Sequence, residues 1–342
     1  MAWPDTRLTE LLGVRYPIIQ APMAGGTSTI ELAVAVSEAG GLGSIAGAVL
    51  SPDKLRQAIR AVRAQTDQPF AVNLFAPPRP ENDDPLVIEA QRRALARLRE
   101  RLGMPAPEPP RSQNWSVEDQ LAVVADEHPR ALSFTFGIPP LDGLGDTLLI
   151  GTATTSEEAL ALERAGVHVV VAQGSEAGGH RGTFLGSFED GCVGLAALVP
   201  QVVDAVAVPV VAAGGIMDGR GIAAALALGA DGAQLGTAFL FCPESGASAT
   251  WRDALRRLPT VVSDAYTGRA ARGARTPFVA ELIAGPPPAS YSIQRGLTAD
   301  FRHVDGCGWY LGGQGAPLAR ELPAGELVAV LHSETAALSR AG

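Results

Sequence analysis

Residues 208–240 read VPVVAAGGIMDGRGIAAALALGADGAQLGTAFL, and the order of features in this stretch decides the architecture. Two short apolar runs, 208–213 and 231–235, flank an Ala/Leu-rich segment of helical period, which is one β/α unit of a parallel sheet. Each run stops at glycine: Gly214 and Gly215 after the first, Gly236 and then Thr237 after the second. In β/α barrels the loops after strands seven and eight commonly hold a phosphate, because glycine lets backbone N–H groups approach and a helix N-terminus favours negative charge. Glycine pairs also serve simply to turn a chain. The repetition of the pattern at two successive strand ends is what points to phosphate.

Working outward, the same alternation places further strands at 17–21, 42–46, 70–74, 131–135, 147–151 and 167–172, giving eight in all. The expected fold class is α/β, a (β/α)8 TIM barrel, which routinely uses a chain of this length, 342 residues. Two irregularities interrupt it. A long excursion, 77–128, with a Pro-rich stretch at 105–111, is expected to shape one rim of the barrel mouth. The connection GIPPLDGLGD, 137–146, is too short for a crossover helix. Beyond residue 243 the character changes, through WRDALRRL, SDAYTGRAARG and AGPPPASYS. The expected division is a barrel over 1–243, a small, mainly helical subdomain over 244–315, and a C-terminal segment, 316–342, whose helix returns to the barrel.

A net charge of −9, with acidic residues dispersed and no cluster of Lys or Arg alternating with aromatics, gives no footprint for nucleic acid or an anionic membrane. The expected partner is a small molecule, and a homo-oligomer is allowed. Cys192, Cys242 and Cys307 are three, far apart and in no CxxC arrangement, so no disulfide framework and no metal site is expected, and a reducing cytoplasm is. No export signal or membrane-spanning run is read from the N-terminus or the interior. Lys54, the single lysine, follows a helix cap at 51–53 and reads as a solvated helix residue. A lysine Schiff base is thereby excluded.

The remaining strand ends carry amides and glycines. QAPMAGGTS, 20–28, ends the first strand, and Pro22 delays a helix so that the backbone of Ala21, Pro22 and Met23 can lie flat against a ring. Asn73 and Gln173, at the ends of strands three and six, suit the polar edge of an isoalloxazine, although each amide could equally satisfy loop backbone. The loop AQGSEAGGHRG, 172–182, then forms the floor of the mouth. His180 in it is the best placed of five histidines; His168 falls within a strand, and His128, His303 and His332 have no ligand-like neighbours. Glu176 and Arg181 are expected to form an outward salt bridge. Cys192, with nothing nearby to lower its pKa, reads as structural.

These blocks together resemble the class I nitronate monooxygenases: QAPMAGGTSTIELAVAVSEAGGLG at 20–43, VNLF at 72–75, SFTFGIPP at 133–140, AQGSEAGGHRG at 172–182, AAGGIMDGRG at 212–221 and GGQGAP at 312–317. The resemblance implies noncovalent FMN bound by Asn73, Gln173, Gly178, Gly179, Gly214, Gly215 and Gln234 through Leu235 and Gly236 to Thr237, with Ala21, Pro22 and Met23 beside it. It implies that His180 is catalytic, with Tyr310 and Gln314 near the substrate, and that alkyl nitronates such as propionate 3-nitronate are oxidised with O2 to a carbonyl compound plus nitrite or nitrate, using neither metal nor nicotinamide. A neutral nitroalkane would need His180 as a base, whereas a nitronate would need it as a hydrogen-bond donor or cation. Flavin-dependent enoyl-thioester reductases are similar in fold, phosphate loops and the EAGGH motif, and a noncatalytic flavin-binding barrel is the third reading.

Overall fold

In the computed structural model, which describes residues 3–77, 84–106 and 115–339, eight parallel strands close on themselves. They are β1 (Ile18–Gln20), β2 (Gly43–Ala46), β3 (Phe70–Phe75), β4 (Ala131–Thr135), β5 (Leu148–Ala153), β6 (Val169–Gln173), β8 (Val210–Ala213) and β9 (Gly232–Leu235). A two-residue strand, β7 (Gly179–His180), lies outside this sheet. Closure is visible where Gln20 N donates to Leu42 O and Leu42 N donates to Ile18 O, both at 2.9 Å. The fold is the expected TIM barrel. Because both faces are covered, the strands read as continuous apolar runs; β6 (VVVAQ) and β8 (VVAA) are buried almost throughout.

Side-chain parity sorts the two layers. Ile19, Ala71, Val169, Val171, Val211 and Ala213 point into the barrel and share a cluster with Leu8 and Leu12 of α1 (Arg7–Leu12), which plugs the N-terminal end. Val72, Leu74, Val170 and Ala212 face outward, against the helices. Asn73, Gln173 and Gln234 therefore share the inward parity at the opposite, C-terminal end.

The ring comprises α2 (Ile30–Glu38), α3 (Pro52–Arg63), α5 (Val117–Glu127), α6 (Ser156–Arg164), α7 (Leu195–Ala205), α8 (Gly219–Ala227) and α13 (Ala324–Ser339). No helix joins β4 to β5, as the length of that connection requires. α13 fills the gap between α8 and α2, and its approach to α8 is so close that a Cβ at Gly219 would stand 2.4 Å from Glu334 Cβ.

The excursion between β3 and β4 does not merely edge the mouth. Its first helix, α4 (Pro85–Arg101), packs Leu95 and Leu98 against Tyr266, Phe278, Phe301 and Trp309. Arg99 pairs with Asp300 at 2.8 Å, and Gln91 donates to Pro286 O. Of the Pro-rich stretch, residues 107–111 lie outside the described residues. The C-terminal lobe thus combines α4 with α10 (Ala249–Arg257), α11 (Pro277–Ile283) and α12 (Tyr291–Leu297). A four-residue helix, α9 (Thr237–Leu240), precedes it. Two strands not anticipated from sequence, β10 (Thr260–Ser263) and β11 (Ala271–Ala274), form a three-stranded antiparallel sheet with β7.

Candidate active site

The loop after β6 is a built structure. Gln173 Nε2 donates to His180 O at 3.1 Å, and its Oε1 accepts from Gly182 N at 2.8 Å, so one amide closes the loop at its base. The backbone-satisfying use of this side chain is thus the one observed, and its second N–H leaves it able to bond a ligand as well. At the loop's far end His180 sits in β7, registered with Ala271 of β11, and Arg181 N donates to Ala270 O at 2.8 Å.

Arg181 and Glu176 do not pair outward; that expectation is corrected. Arg181 is 1% exposed, donating to Gly174 O, Gln173 O and Gly191 O at 2.7–2.8 Å. Three carbonyls need a cation with fanned donors, which only arginine supplies. Burial pushes its pKa down to about 10, so it stays charged at neutral pH. Glu176 instead accepts from Leu195 N at 2.9 and 3.0 Å and caps α7, whose own Gly194 has no side chain to do so. Cys192 is a free, exposed thiol.

Around this loop the glycines form a cradle. Gly214 and Gly215 have φ of 128° and 71°, a region costly for other residues. A Cβ at Gly178 would stand 2.4 Å from Gly312 C, and one at Gly313 would stand 2.7 Å from Glu176 O. The GGQG block therefore lies backbone to backbone on the loop; Gln314 N donates to Glu176 O at 3.0 Å and Gly313 N to Thr237 Oγ1 at 2.9 Å. Gly236 opens α9, and its Cα faces Ala21 and Met23 of the β1 loop. Asn73 donates to Ser133 Oγ at 3.0 Å inside the barrel. Glycine-lined backbone, a helix start and inward amides at one rim form a donor set that fits a flavin phosphate and the polar edge of its ring.

Above the cradle, His180 is enclosed by aromatic rings. Phe136 and Tyr291 stand edge-on to its imidazole at 5.9 and 5.5 Å, and Phe75 packs on Phe136 at 4.5 Å. Arg269 stacks on Phe136, 3.8 Å from the ring centroid, and Arg295 lies 5.9 Å from that of Tyr291. Burial first, then Arg269 and Arg295, push the His180 pKa down to about 3, so the ring is neutral near pH 7. Burial raises the Tyr291 phenol. Phe136 has φ of +76°, unusual for a bulky residue and a mark of functional sites.

Not all expected residues converge here. Gln314 is exposed at the cradle's edge. Tyr310 packs on Trp251, at 6.1 Å, rather than on His180. Phe136, Thr267, Arg269 and Tyr291 were missed as site residues, although they lie in segments the sequence marks as unusual: SFTFGIPP, SDAYTGRAARG and ASYS. Three of the other histidines are structural: His168 Nδ1 accepts from Leu149 N at 3.0 Å, His128 takes the left-handed C-cap of α5, and His332 stacks on Tyr16, while His303 is exposed. Among the described residues no group of three His, Cys, Asp or Glu could hold a metal ion, and no helix is long and apolar enough to cross a membrane.

Comparison with known proteins places this geometry. Residues 5–334 match the sequence model of the nitronate monooxygenase family. The chain is 46% identical to the nitronate monooxygenase of Pseudomonas aeruginosa, an alignment covering 96% of this chain and 98% of that one. Among solved structures it is similar to a nitroalkane oxidase from Streptomyces ansochromogenes, with a TM-score of 0.89 and 43% identity over 98% of this chain and 99% of that chain. It is also similar to FabK from Thermotoga maritima, with a TM-score of 0.76 and 30% identity over 98% of both chains. The full-length match, carried by the same loops that build the cradle and present His180, means that the chain belongs to the nitronate monooxygenase family of flavin-dependent oxidoreductases.

Proposed function

We propose that the protein binds FMN and oxidises alkyl nitronates, propionate 3-nitronate among them, with O2 to a carbonyl compound plus nitrite or nitrate. The observation that carries this reading is His180 at the barrel mouth, in T-shaped contact with the rings of Phe136 and Tyr291, over which Arg269 and Arg295 lie. Gly214, Gly215, Gly236 and Thr237 would hold the phosphate, with Asn73, Gln173 and Gln234 at the ring's polar edge and Ala21, Pro22, Met23, Leu235, Gly178 and Gly179 beside it. Bound flavin supplies the redox step and the reaction with oxygen.

The chain's own residues bind and orient. Phe75, Phe136 and Tyr291 exclude water from the alkyl part of the substrate. Arg269 and Arg295 lend a positive field that suits an anionic nitronate. Where the substrate arrives as a neutral nitroalkane, His180 takes its α proton; where it arrives as the anion, Arg269 and Arg295 favour it and no proton transfer is needed. Gln314 is kept as a contact to the bound molecule, while the aromatic contact expected of Tyr310 is given to Tyr291. A cytoplasmic location belongs to the same proposal, supported by three free cysteines.

The test is His180→Asn assayed on both substrate forms. Nitroalkane turnover should fall about 100-fold or more, and turnover of preformed nitronate clearly less; equal losses would refute the base assignment. The same protein mixed with NADH or NADPH and an enoyl thioester should oxidise no nicotinamide. Rapid oxidation there, without nitrite from nitronate, would make it an enoyl-thioester reductase.

A further inference from the structure

One hydroxyl contacts the His180 ring. Thr267 Oγ1 is 3.0 Å from His180 Nε2 and also 3.0 Å from Arg269 O. The direction of both bonds follows from counting protons. A carbonyl only accepts, and a threonine hydroxyl has a single hydrogen. That hydrogen points at Arg269 O, so Thr267 meets the imidazole with a lone pair, and the hydrogen between them belongs to Nε2. The reverse arrangement would leave two oxygens 3.0 Å apart with no proton between them.

We propose that Thr267 is a positioning residue that holds neutral His180 as the Nε2–H tautomer, leaving Nδ1 as the ring atom that takes up the substrate's α proton. The proposal rests on the reading of His180 as base. In the step, the C–H electron pair stays on the substrate carbon as the nitronate forms, and the proton passes to the Nδ1 lone pair, giving imidazolium.

The placement of Thr267 is itself tightly set. Its turn is closed by Thr267 N and Gly268 N, which both donate to Asp264 O at 3.1 and 2.6 Å. Gly268 has φ of +77°, and a Cβ there would stand 2.4 Å from Ala289 O, so the turn is pressed against the segment that leads into Tyr291. The charged and titratable groups facing the ring are Arg269, Arg295 and Tyr291. The two guanidiniums carry no acceptor for Nε2–H and disfavour the imidazolium, so the neutral tautomers are the states between which Thr267 chooses.

Long-range proton–nitrogen NMR of the 15N-histidine-labelled holoenzyme, with His180→Asn to assign the signal, reads the tautomer directly. A protonated Nε2 and an unprotonated Nδ1 are expected. Thr267→Val should populate the other tautomer and lower kcat on a neutral nitroalkane by about 10- to 100-fold, with KM unchanged. Preformed nitronate should be affected by less than about threefold, and Thr267→Ser should recover to within about threefold of the parent on both substrates. An unprotonated Nε2 in the parent enzyme overturns the tautomer whatever the kinetics, and needs no variant to fold. Equal losses on both substrates in His180→Asn, with Nε2–H still observed, overturn the base reading while the tautomer stands.

Discussion

Arg269 lays its guanidinium 3.8 Å from the centroid of the Phe136 ring, while Phe136 and His180 meet in a T-shaped contact. The cation is thereby held on an apolar surface, near enough to the imidazole to act on its charge but without a hydrogen bond to it. Such stacking is worth roughly 0.5–2 kcal/mol depending on desolvation, and it is a use of arginine that lysine copies poorly. Arg269 Nη2 also donates to Thr183 O at 2.6 Å, which pins the stack to the His180 loop.

Removing that charge should raise the His180 pKa from about 3, because Arg269 is the larger of the two charges that disfavour imidazolium. In Arg269→Gln the acid limb of the nitroalkane rate profile is expected to move to higher pH by up to about one unit, and in Arg295→Gln by less. A limb that stays in place would show that His180 does not feel the guanidinium. The same shift acts on stability. The unfolded ring protonates near 6.5 and the folded one near 3, so between these values the unfolded chain holds the extra proton, and stability is lost as pH falls through that window.

The positive φ of Phe136 gives a prediction of opposite signs for shape and strain. Phe136→Ala and Phe136→Gly both delete the ring, and both should cripple turnover. A left-handed conformation costs an L-residue about 1–2 kcal/mol, while glycine's extra unfolded-state freedom costs about 0.5–1. The glycine variant should therefore be more stable than the alanine variant by up to about 1.5 kcal/mol in chemical denaturation. Greater stability of the alanine variant would mean that the backbone there is unstrained.

Gly178 and Gly179 should part company. At Gly178 a methyl group would stand 2.4 and 2.5 Å from backbone atoms of Gly312 and Gly313, which cannot move aside, whereas at Gly179 it would meet nothing within 4 Å and only the φ of +79° is unfavourable. Gly178→Ala is expected to cost about 2–3 kcal/mol and to loosen flavin retention. Gly179→Ala should cost about 1 kcal/mol. Thermal denaturation with and without added FMN separates the two, and similar losses would mean that the close approach to 312–315 is not maintained.

The sequence made the barrel readable because its strands are apolar on both faces and punctuated by glycine, and each of the eight fell within two residues of its predicted limits. The cradle's glycines were legible for the same reason: Gly178 marks a backbone approach that a Cβ would block, and Gly214 and Gly215 mark left-handed turns. The pocket walls were not. Phe136 acts through a backbone angle that no residue type announces, and Tyr291 and Thr267 reach His180 only because β11 pairs with β7, a two-residue strand too short to leave a periodic signal. Arg181 misled because a lone arginine in a glycine-rich loop reads as a surface charge, whereas three converging carbonyls draw it inside. The strand content of the lobe was hidden in β10, whose residues are only half-buried.

α4 joins the C-terminal lobe through contacts that span about 200 positions of chain, Gln91 to Pro286 and Arg99 to Asp300, at separations of 195 and 201 residues. Loops of that size close late, since their entropy must be met by contacts that exist only once both ends are present. Barrel closure carries the same cost, since Ile18 of β1 pairs with Ala233 of β9 from the far end of the sheet, so the barrel and the lobe that carries Thr267, Arg269 and Tyr291 both wait for the C-terminal half of the chain. A chain that has not yet reached Gly312 and Gly313 would thus lack one side of the glycine cradle as well as the walls around His180, so the cofactor cradle and the pocket above it are completed together.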